Sequence, residues 1–238
     1  VVCGFTPGDF DLSDISQRQL EDVVTKCGSS SWLDVSDVFP LSPLQEGMLF
    51  HRLVDPASQA YHSQVVLDIF PGDGDVVDAD SLAKAWQIAA QDFDVLRARF
   101  SHRQLDRPVH VVQKSVDVPF HQITGSLDDF LAADLLQLFD METAPLMRIA
   151  LVHDEERTVV VWTHHHIIHD GWSLPIVMGH VFEAYDRLCA AQSLVQHRPE
   201  THSFKRYISW LAKQDESAAK AFWQSSLAGV EDATSIAD

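Results

Sequence analysis

One segment constrains this chain more than any other: Val159-Val160-Val161-Trp162-Thr163 running into His164-His165-His166-Ile167-Ile168-His169-Asp170-Gly171. The β-branched, apolar run reads as a buried strand. It delivers a cluster of histidines straight into a turn bearing Asp170 and Gly171. Chemistry often sits where a rigid strand ends in a loop, because the strand fixes position and the loop gives access. The two-residue period of a strand sends His164 and His166 one way and His165 the other, so at most two of the three share a cavity. An imidazole titrates near neutrality and can accept a proton without carrying permanent charge. Asp170 can orient a ring or lock the turn, and a glycine at 171 permits φ > 0 or close approach of a substrate backbone.

Composition narrows what that segment can serve. Seventeen Lys and Arg against 35 Asp and Glu give a formal charge of −18 over 238 residues. Nucleic-acid binding needs clustered Lys and Arg, so no nucleic-acid partner is expected. Hydrophobic residues at 46% and charged residues at 22% are ordinary for a packed globular chain. The longest apolar runs, Ile149–Val152 and Val159–Trp162, fall far short of the ~18–20 residues of a membrane span. No basic-then-apolar leader opens the sequence, so the expectation is a chain without membrane partner or secretory signal. The odd set Cys3, Cys27 and Cys189 forms no CxxC and argues against a disulfide framework. The expected setting is reducing and cytoplasmic.

Along the chain, residues 1–33 read as a lead-in. Gly4, Pro7, Gly8 and Gly28-Ser29-Ser30-Ser31 are turn and linker material. Between them a short helix starting near Ser16 places Leu12, Ile15, Leu20, Val23 and Val24 on one face. The globular body is expected over 34–238. Ser42 is an N-cap candidate with Pro43 in the first turn of a helix running through Leu53. Strands are expected over Gln64–Phe70, Val109–Gln113, Met147–His153 and Thr158–Thr163, the last two joined by the turn Asp154-Glu155-Glu156-Arg157. Pro71-Gly72-Asp73-Gly74 is a loop. Helices are expected over Asp80–Phe93, Leu127–Phe139 with its three aspartates outward, Pro175–Leu188 capped by Ser173, Phe204–Leu211 and Ser217–Leu227. Helices alternate with strands, which gives an α/β or α+β class.

Several chemistries compete for the histidines. Four histidines in six residues invite zinc, but strand geometry splays them and no Cys or Glu completes a familiar ligand spacing, so no metal is expected. Gly171-Trp172-Ser173-Leu174-Pro175 mimics the start of a G-x-S-x-G elbow, yet proline replaces the last glycine and no strand immediately precedes it. His165 and Asp170 fit the H-x4-D pattern of glycerolipid acyltransferases, which are usually membrane-associated. The blandest alternative is a set of hydrogen-bonded core histidines beside a turn.

His165-His166-Ile167-Ile168-His169-Asp170-Gly171 matches HHxxxDG, the signature of condensation domains of nonribosomal peptide synthetases. Pro40-Leu41-Ser42-Pro43-Leu44-Gln45-Glu46-Gly47-Met48-Leu49-Phe50-His51 closely resembles the first motif of that family. Leu96-Arg97-Ala98-Arg99-Phe100 resembles the end of its second, and Pro145-Leu146-Met147-Arg148 and Phe222-Trp223 are similar to later landmarks. The motifs arrive in the family's order across about residues 34–229.

The resemblance implies a chloramphenicol-acetyltransferase-like lobe, a mixed sheet flanked by helices. It implies the N-terminal half of a two-lobed domain, with the C-terminal lobe completing a tunnel and the lead-in resembling a linker after an upstream synthetase domain. The implied reaction is amide formation. An upstream carrier presents a donor acyl or peptidyl thioester on phosphopantetheine, and a downstream carrier presents an aminoacyl acceptor. The chain has no Gly-Gly-x-Ser carrier site, so no cofactor is expected to be attached covalently and the pantetheine arm arrives on carrier partners. A neighbouring adenylation domain is a further implied partner. By resemblance His166 is the reacting-centre histidine, either base or positioner, while His165 and Gly171 shape the loop. Trp172 and Ser173 are expected along the substrate tunnel. Asp170 is expected to be held by an arginine, but the second motif's usual Arg-His is Asp92-Phe93 here, which leaves Arg148 and Arg97 as candidate partners. Pro40–His51 with Asp170–Pro175 looks most like the subgroup taking donors that end in a D-residue. Epimerization domains share HHxxxDG and are the enzymatic alternative; a non-catalytic carrier-docking lobe is the other.

Overall fold

The computed structural model describes residues 4–10, 14–25, 34–70, 76–154, 157–191 and 203–230. Its organising feature is a four-stranded sheet in the order β2-β7-β6-β5, built from β2 (His62–Ile69), β5 (Phe120–Thr124), β6 (Met147–His153) and β7 (Thr158–His165). β7 lies inside the sheet, antiparallel to both β2 and β6, whereas β5 and β6 run parallel. The sheet is therefore mixed.

Both faces of β7 are covered, which explains its unbroken apolar run. Val160 and Trp162 enter the main core with α3 (Ala79–Asp92) and α5 (Ser173–Cys189), whose buried side chains include Trp86, Ala89, Val177 and Val181. Val159 and Val161 point the other way, against Leu127, Phe130 and Leu131 of α4 (Leu127–Leu135). A strand packed on both faces has no polar side to show. Trp162 meets Trp86 at a centroid distance of 5.0 Å across the core.

A second sheet, β1-β4-β3, is all antiparallel and comprises β1 (Val35–Pro40), β3 (Ala98–Ser101) and β4 (Val109–Gln113). The four-stranded sheet is the expected mixed sheet flanked by helices, and this second sheet stands beside it. The lead-in carries the short helix expected of it. Its helix α1 (Gln17–Thr25) buries Leu20, Val23 and Val24 against Val35, Val38, Val109 and Val111, and the Val23 carbonyl accepts a 2.6 Å hydrogen bond from buried Arg99. The amphipathic spacing that suggests a helix is what seats it. Leu12, Cys3, Cys27 and the stretches 28–31 and 71–74 lie outside the described residues, as do Glu155 and Glu156 between β6 and β7.

Helix α2 (Pro43–Val54) starts as its sequence dictates. Ser42 caps it in extended conformation, Pro43 occupies the first turn, and Gln45 completes a capping box, its Oε1 accepting from the Ser42 amide at 3.1 Å. Helices α6 (Phe204–Leu211) and α7 (Glu216–Ser226) follow later. Among the described residues no helix is long and apolar enough to cross a membrane.

Candidate active site

The histidine segment leaves the sheet at His165 and turns through a 3-10 helix, His166–Ile168. Alternation holds along the strand. His164 stays on the Trp162 side, ring centroids 4.7 Å apart, while His165 faces Tyr61 at 6.3 Å on the other side. His165 is a structural clasp: its Nδ1 accepts the Ile167 amide at 3.2 Å, and its own amide donates to the Leu146 carbonyl at 3.0 Å. Burial, with the charges of His62, Arg52 and His166 adding to it, pushes its pKa down to about 4 and so keeps the ring neutral. His166 is held by its amide, which donates to the Tyr61 carbonyl at 2.7 Å, and its ring is partly exposed.

His166 lines a cavity of about 740 Å³ together with Gln45, Met48, Phe93, Ser173 and Tyr207. Gln45, which completes the capping box of α2, also fixes this wall. Its Nε2 donates to the Ile167 carbonyl at 3.0 Å and to His110 Nε2 at 2.9 Å, tying α2 and β4 to the turn that aims His166.

Asp170 does not pair with an arginine among the described residues. Its carboxylate accepts from the Ser173 amide at 2.8 Å and the Ser173 hydroxyl at 2.7 Å, and these bonds hold its pKa below the usual carboxylate range. Both candidate arginines are committed elsewhere. Arg97 donates to the carbonyls of Gln113, Ala90 and Gln91. Arg148 binds Asp134 at 2.5 Å and lies over the Phe139 ring, its guanidinium carbon 4.7 Å from the centroid. Asp92, standing where the resembled motif has arginine, meets His180 of α5 at 3.0 Å.

Asp134 overturns a second expectation. Helical periodicity makes it one of three outward aspartates, but it is buried and accepts from Arg148, Thr163 at 2.6 Å and Gln64 at 2.8 Å. Burial alone raises its pKa; the bonds from these three groups and Arg148's charge outweigh that and leave it lowered. The helix ends at Leu135 rather than Phe139, so a period extended past that end puts the aspartate on the wrong face.

The loop residues divide. Ser173 lines the cavity and starts α5, two residues before the expected start at Pro175. Trp172 does not line it and is 85% exposed. Gly171 does not adopt the left-handed backbone, and a Cβ there would meet nothing within 4 Å.

His169 supplies what strand geometry hides. Beyond the strand, the 3-10 turn folds it back until its ring lies 4.0 Å from His164 and 5.7 Å from His166 by centroid. One nitrogen from each of His164, His166 and His169 lies within 4.8 Å of the others. Burial depresses His164 to about 2 and lowers His169, so both are neutral near pH 7.

The lobe has the mixed α/β architecture of a chloramphenicol-acetyltransferase-like fold, and solved structures share that fold. The first condensation domain of the calcium-dependent antibiotic synthetase, bound to a substrate analogue, superposes with a TM-score of 0.70 over 86% of this chain and 52% of its own, at 16% identity. The epimerization domain from the third module of tyrocidine synthetase B gives 0.65 over 83% and 46%, at 20% identity. These likenesses establish the fold. The family model for the condensation domain matches residues 35–238, and the chain belongs to that family. Bacitracin synthase 3 of Bacillus licheniformis is 31% identical over 97% of this chain. The chain spans 4% of that synthase's length and about half of the solved structures' chains.

Proposed function

We propose that the chain is the N-terminal lobe of a condensation domain that forms amide bonds in nonribosomal peptide synthesis, with His166 at the reacting centre. The observation that carries this reading is the partly exposed His166 ring, set by β7 and the Gln45 bridge at the wall of a 740 Å³ cavity, in a chain of the condensation family. The acceptor's amine attacks the donor's thioester carbonyl. The C–N bond forms, the C–S bond breaks, the amine's proton is lost and the pantetheine thiol leaves protonated. His166 either takes that proton or holds the amine; a general base contributes roughly 10²–10⁴-fold and positioning as much. His165 and the Asp170–Ser173 bonds set the loop that carries it.

Upstream and downstream carrier domains present the substrates on phosphopantetheine, an adenylation domain neighbours the chain, and a second lobe supplies the rest of the tunnel. The exposed apolar side chains Phe222 and Trp223 on α7 fit such a covering lobe. The sequences Pro40–His51 and Asp170–Pro175 favour a donor ending in a D-residue. The setting this reading implies is cytoplasmic.

The test uses the complete domain with both lobes, an upstream carrier loaded with a D- or L-terminal peptidyl thioester, and an aminoacyl downstream carrier. Intact-protein mass spectrometry is expected to find peptide on the downstream carrier, with the D-donor preferred. His166→Ala lowers transfer at least ~100-fold with an unchanged melting curve; full transfer by that folded variant overturns the assignment. Because an epimerization domain shares this fold, solvent deuterium at the donor's α-carbon without transfer reassigns the activity.

A further inference from the structure

The histidines that strand geometry splays are gathered again by the turn that follows. We propose that His164, His166 and His169 form a three-imidazole site for a divalent transition cation, zinc or a close analogue, reached through the cavity. Occupied, it takes His166 out of the reaction; that consequence rests on the condensation reading, whereas the site itself does not.

The ligand atoms are available and otherwise unused. His164 Nδ1 and His169 Nε2 are buried and have no hydrogen-bond partner. Native interiors rarely leave such atoms unpaired, so each orphan asks for a partner. His169 Nδ1 lies 3.0 Å from the Asp170 carbonyl. That oxygen can only accept, so the proton sits on Nδ1 and the Nε2 lone pair is free, as in metal sites where an outer carbonyl fixes the ring's tautomer. Trp162 lies 4.7 Å from His164 and, stacked, 4.8 Å from His169, which holds both rings. Buried Ile167 and Ile168 complete a dry surround.

The ligand set chooses the ion. Imidazole nitrogens without carboxylates select zinc, copper, nickel or cobalt over magnesium or calcium. Three protein ligands leave a fourth position open, facing the cavity that His166 and His169 line. Nitrogens ligating one zinc stand about 3.4 Å apart given ~2.0–2.1 Å bonds, so the triad, now within 4.8 Å, closes by no more than roughly 1.5 Å. Strand alternation, which speaks against a metal, governs strand residues alone. His169 is not in the strand.

Titration of the metal-free complete domain with Co²⁺ tests the site. One equivalent is expected to give a visible ligand-field band that Zn²⁺ abolishes by displacement. His169→Ala and His166→Ala each weaken binding at least as much as the ~10–100-fold typical of a lost outer-shell partner, while exposed His121→Ala leaves it unchanged. If His169→Ala fails to fold by circular dichroism, His166→Ala decides alone, since its ring is only partly buried. Absence of the band, or a band that survives in folded His166→Ala, overturns the site. In the carrier assay, Zn²⁺ is expected to stop transfer and a chelator to restore it; binding without inhibition overturns the blocking role. A domain that binds Co²⁺ as described yet shows no transfer in metal-free buffer upholds the site and fails the condensation reading instead.

Discussion

Asp170 and Asp134 are both aspartates beside the histidine strand, and their surroundings give them different work. Asp170 is exposed and bonds Ser173 at the start of α5, as a capping carboxylate does. Replacing such a cap with alanine costs about 1 kcal/mol, so Asp170→Ala is expected to lower the complete domain's melting temperature by about 1–2 °C, and Asp170→Asn by less. Thermal unfolding checks both. Asp134 is the larger stake, because it neutralises the nearly buried Arg148. Removing one member of a buried pair strands the other charge, at about 3–5 kcal/mol. Asp134→Ala is therefore expected to be much more damaging than Asp170→Ala in urea unfolding, and equal effects would contradict the pairing.

At the scale of elements, α2, β4 and the histidine turn are joined through Gln45 and His110. His110 is fully buried between Phe39, stacked at 4.8 Å, and Phe100, edge-on at 4.4 Å, and burial pushes its pKa down to about 3. The unfolded chain protonates this ring near pH 6.5 while the folded one does not. The unfolded state thus binds more protons below pH 6.5, and the stability due to neutral His110 is full above that pH. It falls as pH drops toward about 3. By pH 5 the loss from this one ring is about 2 kcal/mol. Urea unfolding at pH 7 and pH 5 should show a smaller difference for His110→Gln than for the parent by roughly that amount. Gln45→Leu strips the Ile167 carbonyl and His110 of their donor; a buried group left unpaired costs about 1–3 kcal/mol, and peptide transfer is expected to fall because His166 follows that carbonyl in position.

For the whole molecule, exposed apolar side chains recur on the last two described helices. Phe222, Trp223 and Leu227 of the last helix region and Tyr207 and Trp210 of α6 are exposed. Patches of this kind mark surfaces that another protein covers. Expressed alone, the chain is expected to bind a hydrophobic dye and self-associate, and the complete domain to do neither. A monomeric, dye-free isolated chain would place these side chains outside the lobe interface.

Local rules settled much of what depends on neighbours in sequence, though not the end of α4, which falls at Leu135 and not at Phe139. The Ser42 cap, the run of Val159–Trp162, the alternation of His164 and His165, the helix over 204–211 and, shifted by one residue to 216–226, the last helix follow from propensity and periodicity, and the HHxxxDG pattern located the histidines. Tertiary structure decided what depends on distant partners. It turned Asp134 inward, because Arg148 and Thr163 on adjacent strands meet α4 there, and it gave Arg97 three carbonyls in place of Asp170. It also brought His169 back onto His164. Strand period describes only residues within the strand, and the 3-10 turn that returns His169 is held by Gln45, 122 positions away from Ile167.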